Sequence, residues 1–123
     1  MKLLTHNMLA STVRGVSQGY PLGIAPGAVT EVHACDFSKE FLVHVFPKLE
    51  WSAFVSACAS LSLPTMPAEV TPASWEDESF LRQMHHNLLE VHVQEGTLIC
   101  PESGRQFPVS KGIPNMLLNE DEI

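Results

Sequence analysis

The chain has 123 residues, 45% of them hydrophobic, with 7 basic and 14 acidic side chains for a net charge of −7. That length fits one compact unit of one or two small lobes. The negative charge argues against direct binding to nucleic acid, which needs basic groups to displace phosphate counterions, and against attraction to an anionic membrane surface.

In chain order, Lys2 to His6 is a short apolar-polar segment and reads as a strand. Residues 11–28 hold Gly15, Gly19, Gly23, Gly27, Pro21 and Pro26, the composition of a loop. Val29 to His33 alternates with β-branched residues and predicts a strand. A helix follows, capped by Ser38, with Phe37, Phe41, Leu42, Val45 and Phe46 on one face. Pro47 interrupts it, and a second helix runs from about Glu50 to Leu61 with Trp51, Phe54, Val55 and Cys58 on one side. Pro64, Pro67 and Pro72 mark a linker. Ser74 then predicts the cap of a third helix, whose stripe is Phe80, Leu81 and Met84 and whose end lies near His85 or His86. From Leu89 the period changes to two: a strand through Val93, a turn at Glu95-Gly96, a strand over 97–100, a turn over 101–104 and a strand over 105–110. Ile113 to Leu118 is a last apolar segment, and the acidic tail from Asn119 to Ile123 is expected to fray. The plan is α+β: terminal strands forming one lobe, with three helices inserted between them.

The chemistry-bearing residues form no catalytic pattern. Cys35, Cys58 and Cys100 are odd in number and widely spaced, which predicts reduced thiols of a cytosolic or nuclear setting rather than a disulfide framework. Cys100-Pro101-Glu102-Ser103 has the shape of a zinc knuckle turn with Ser103 where a second cysteine would stand. Adjacent His85 and His86 project about 100° apart on a helix and cannot serve one metal as an i, i+4 pair does. No glycine-rich phosphate loop is present, so the chain is not expected to bind a nucleotide-like methyl donor. His6 and Asn7 interrupt the apolar start too early for a signal-peptide core, and no stretch reaches the about 20 apolar residues of a membrane helix. The mean hydropathy of +0.07 is high for so short a chain and predicts an exposed apolar patch. Ile113 to Leu118 is the candidate, because Pro114 suits an edge strand and an apolar edge invites pairing with another sheet.

Several separated blocks resemble a known family. They are Met1 to Leu9, Pro47 to Trp51, Phe80-Leu81-Arg82 with Met84-His85-His86, Glu95 to Leu98, Cys100 to Arg105, and Gly112 to Leu118. Together they are similar to the small activating subunit shared by eukaryotic tRNA, rRNA and release-factor methyltransferases. The C-terminal part also resembles short bacterial zinc-ribbon-like proteins. The resemblance implies a zinc-ribbon-like β lobe over 1–35 plus 87–123 and an inserted helical lobe over 36–86. It implies no catalytic residue in this chain and obligate heterodimers with class I methyltransferases, which bind S-adenosylmethionine themselves. Their substrates are tRNA guanosine, tRNA wobble uridine, 18S rRNA and the release-factor GGQ glutamine, in the cytoplasm and nucleus. The zinc-binding members use four cysteines. Here the N-terminal region offers Ser11, Thr12 and Val16 instead of cysteine, Ser103 breaks the later pair and only Cys100 matches, so the ribbon is expected without its metal. The expected partner-binding residues are Asn7, Met8, Phe107, Val109, Ile113, Pro114, Asn115, Met116 and Leu117. The competing expectations are a thiol-dependent hydrolase using Cys100 with a histidine, and a stand-alone nucleic-acid-binding ribbon.

Overall fold

The computed structural model describes residues 1–123. Its spine is β3 (Val91–Ile99), an unbroken strand of nine residues. Along one side, β2 (Val29–Val32) pairs with the first half of β3 and β1 (Gly23–Ile24) with its end, both antiparallel. Along the other side, Lys2 bridges His92, and β4 (Gln106–Ser110) pairs with residues 96–99. The two-residue β5 (Ile113–Pro114) completes the antiparallel order β1-β3-β4-β5. A bulge sits where Val29 faces Glu95 but Thr30 faces Val93, leaving Gln94 unopposed. Its carbonyl turns to accept from the Gly112 N–H at 3.0 Å. Such an extra residue increases local twist, and the sheet curls. The fold is therefore mixed helix and antiparallel sheet, in agreement with the α+β expectation. No helix is long and apolar enough to cross a membrane.

The helices follow their signals. Ser38 Oγ accepts from the Phe41 N–H at 3.1 Å and starts α2 (Lys39–Val45). A 3-10 turn containing Pro47 leads into α3 (Trp51–Ser60). Apolar side chains gather into two clusters. One joins Leu42, Val45, Phe54, Cys58, Leu81, Met84 and Leu88 with Leu3 from the N-terminus. The other lies against the sheet and holds Leu22, Val93, Leu98, Cys100, Phe107 and Val109.

Four local expectations are corrected. Residues 2–6 are not a strand: Leu3–Asn7 is a helix, α1, whose buried residues Leu3, His6 and Asn7 share a face at i, i+3 and i+4. Glu95-Gly96 is not a turn. The strand runs on through both residues, and the missing side chain of Gly96 makes room for Ala28, which lies 3.3 Å from the position of a Cβ. The third helix is capped by Asp77, which accepts from the Phe80 N–H. Ser74 belongs to a preceding 3-10 turn, and α4 runs Glu78–His85. The acidic tail is held, not frayed: Glu122 accepts from Arg105 Nη2 at 3.1 Å, and its carbonyl accepts from the Arg14 N–H at 2.6 Å.

Candidate functional site: an apolar edge beside β5

The edge is built by a turn. Lys111 and Gly112 both take positive φ, 53° and 77°, reversing the chain after β4. The left-handed φ of Gly112 is the conformation that favours glycine. Past the turn, Asn115 donates its N–H to the Pro108 carbonyl at 2.8 Å, and its side-chain oxygen accepts from the Leu117 N–H at 3.0 Å. These bonds fix an alternation. Met116 and Leu118 turn inward against the sheet cluster. Ile113 and Leu117 turn outward, 69% and 80% exposed. Ser110, Ile113, Pro114, Asn115, Met116 and Leu117 thus line one open groove of about 570 Å³. Nothing in the chain pairs with the outer side of β5.

The expected partner-binding residues divide into three groups. Residues 113–117 share the groove. Met8 is 54% exposed at the end of α1 but does not line it. Phe107 and Val109 are not surface residues at all: they are 0% and 2% exposed, because alternate residues of β4 point into the core. Asn7 is likewise buried. Its amide donates to the Glu50 carbonyl at 2.9 Å and its oxygen accepts from the Glu50 N–H at 3.0 Å, so it ties α1 to the start of α3. Phe107 and Val109 thus support the edge from beneath, in the cluster on which Met116 packs, whereas Asn7 anchors α1. The exposed apolar residues of β2, Val29 and Val32, were not anticipated. Their alternation suggested one buried face, whereas all four residues of β2 are exposed.

The ribbon turn has become a hydrogen-bonded cluster. Cys100 Sγ is buried and accepts from the Ser103 N–H at 3.4 Å. Burial pushes the thiol up. The Ser103 and Ser11 side chains and the N–H groups of Ser103 and Glu102 outweigh that and bring it to about 7. One sulfur and two serine hydroxyls do not make the four Cys or His ligands of structural zinc, so the residues at this turn do not fit the metal. A nucleophile also needs a base and access. Cys100 is 1% exposed and its named partners are serines and backbone, which weighs against a thiol hydrolase.

The histidines have structural partners. His6 Nε2 pairs with the Leu22 carbonyl at 2.7 Å, and burial lowers its pKa. His86 Nδ1 lies 2.9 Å from Glu90 Oε1. That contact comes first, with the Cys35 N–H second, in holding the Glu90 carboxyl below its usual range.

The comparisons with known proteins converge. The family model described as Trm112p-like protein matches residues 2–112. The multifunctional methyltransferase subunit TRM112-like protein of Mus musculus is 54% identical over 99% of this chain and 98% of its own length. The multifunctional methyltransferase subunit TRM112 homolog A of Arabidopsis thaliana is 50% identical over the full length of both. Among solved structures, the E. cuniculi Mtq2-Trm112 complex, responsible for methylation of the eRF1 translation termination factor, contains a chain alike in fold. Its TM-score is 0.57 and its identity 17%, over 95% of each chain. Kinship at this level, end to end, has one meaning: the chain belongs to the Trm112p-like family.

Proposed function

We propose that this chain is a non-catalytic subunit that activates and stabilises class I, S-adenosylmethionine-dependent methyltransferases. Its kinship over almost all of its length with proteins named as multifunctional methyltransferase subunits carries the reading. The partners are catalytic subunits acting on tRNA guanosine, tRNA wobble uridine, 18S rRNA and the release-factor glutamine, the last in keeping with the eRF1-methylating complex of similar fold. S-adenosylmethionine belongs to the partner. The ribbon turn works without zinc, and the complexes act in the cytoplasm and nucleus.

The sheet built from both ends of the chain is zinc-ribbon-like in outline, with the helical segment inserted between β2 and β3. Ile113, Pro114, Asn115, Met116 and Leu117, with Met8, form the docking surface. Phe107 and Val109 support it from beneath, and Asn7 anchors α1. Docking there extends the sheet and covers apolar area on both chains at once. A subunit that binds only the folded partner stabilises it by mass action. A stabilised partner keeps its donor pocket ordered, which raises methyl transfer.

The test is co-expression with a release-factor or tRNA methyltransferase, followed by size-exclusion chromatography and a methyl-transfer assay. A soluble 1:1 complex, active only with both chains, is the expected result. Methyltransferases of all four substrate classes that are soluble and fully active alone would overturn the reading.

A further inference from the structure

Away from the β5 edge, three side chains converge where the helical segment joins the sheet. Cys35 lies between β2 and α2. His85 ends α4. Glu90 closes the π-helical turn, His86–Glu90, that leads into β3. A π turn brings i and i+5 together, so His85 meets Glu90, while His86 meets the same carboxylate at i+4. His85 Nε2 lies 3.8 Å from Cys35 Sγ and 3.4 Å from Glu90 Oε2. The three ligand atoms all fall within 4.8 Å of one another.

We propose that Cys35, His85 and Glu90 form a binding site for a divalent cation of the zinc class, distinct from the degenerate ribbon turn. Zinc binds thiolate sulfur at about 2.3 Å and imidazole nitrogen or carboxylate oxygen at about 2.0–2.2 Å. A tetrahedron with those arms has edges of about 3.4–3.6 Å, close to the two separations found here. The ligand set is a usual zinc set, and three protein ligands leave a fourth position for water.

The surroundings are organised for it. The His85 side chain is 6% exposed, and Phe37 packs edge-on against its ring at 5.4 Å. In the metal-free chain His85 Nε2, the nitrogen that faces the cluster, donates its ring proton to the Cys35 carbonyl at 3.1 Å; Nδ1 has no hydrogen-bond partner and is the position that proton takes when Nε2 ligates. The other carboxylate oxygen of Glu90 is held by His86 Nδ1 at 2.9 Å, the outer support that ligating carboxylates usually have. Cys35 is exposed and borders an open groove with Lys2, Leu4 and Phe41, which gives an entry path. On binding, the Cys35 thiol releases its proton to solvent. His85 keeps one proton, on Nδ1, and the metal replaces the 3.1 Å contact between Nε2 and the Cys35 carbonyl. The same nitrogen faces both thiol and carboxylate, so the cluster is not a Cys-His-Glu nucleophile triad, in which the two partners need different ring nitrogens.

The test uses the full chain, loaded with zinc sulfate and dialysed against metal-free buffer. Retained zinc is counted by mass spectrometry, and cobalt is substituted to report thiolate ligation by its charge-transfer absorption. Wild type and Cys100→Ser are expected to hold about one metal per chain and to show the band. Cys35→Ser should lose both, at unchanged circular dichroism, because its side chain is exposed. His86→Ala should weaken zinc about 10- to 100-fold, as removal of an outer-shell partner does. Metal that is not retained by wild type, or that survives Cys35→Ser and is lost in Cys100→Ser, overturns the proposal.

Discussion

Single residues divide the surface from its support. Asn7 and Met8 are neighbours in sequence with opposite duties. Asn7→Ala removes two hydrogen bonds to Glu50 at a buried site, an expected loss of about 1–3 kcal/mol in urea unfolding. Met8→Asp changes an exposed side chain and should leave stability within about 0.5 kcal/mol. Cys100 offers a pH signature. Its thiol falls from 9.0 to about 7 on folding, so it contributes stability that is fully present above pH 9 and is lost as pH drops through 7. Wild type should therefore gain melting temperature from pH 7 to pH 9 relative to Cys100→Ser. Parallel curves for the two proteins would mean that the serines do not stabilise a thiolate. The sequence showed Ser11 and Ser103 only as missing ligands. Their hydrogen-bonding role depends on the turn that brings them to Cys100.

At the scale of elements, the helices were the more legible. Apolar stripes at helical spacing and the Ser38 cap located α2 and α3 closely, because their signals are local. The errors arose where a distant partner decides. The burial face of α1 carries His6 and Asn7, polar residues that a hydropathy pattern counts as outward, and their partners Leu22 and Glu50 lie far along the chain. Gly96 looked like a turn because the approach of Ala28 is not visible locally. The tail looked free because Arg105 is 17 residues from Glu122. The third helix had two acceptors competing for its cap. Asp77→Ala should destabilise by about 1 kcal/mol in thermal unfolding, and Ser74→Ala by clearly less, because Ser74 serves only the 3-10 turn. Equal losses would return the helix start to Ser74.

For the whole molecule, the question is which surface meets a partner. The apolar segment at 113–118 was legible as an edge because its six residues exceed what so small a sheet can bury on both faces. Its inner and outer halves were not separable until the Asn115 turn set the alternation. Leu117 is the sharper probe, since Met116 also packs on the core. Leu117→Asp should leave the isolated chain folded to within about 0.5 kcal/mol, yet weaken methyltransferase binding about 10- to 100-fold in a titration. A complex of unchanged affinity would move the docking surface elsewhere, and the bare apolar residues of β2 are the next place to look.

The central position of β3 also has a consequence in time. Synthesis proceeds from the N-terminus, and the strand that pairs with Met1, β1 and β2 comes late: Met1 meets Val93 across 92 positions of sequence. While the ribosome makes the intervening residues, the early strands have no template, whereas α2 and α3 depend mainly on near neighbours. The helical segment, with Leu3 of α1 in its cluster, is thus placed to form first, leaving β1 and β2 waiting on the nascent chain for β3 to emerge.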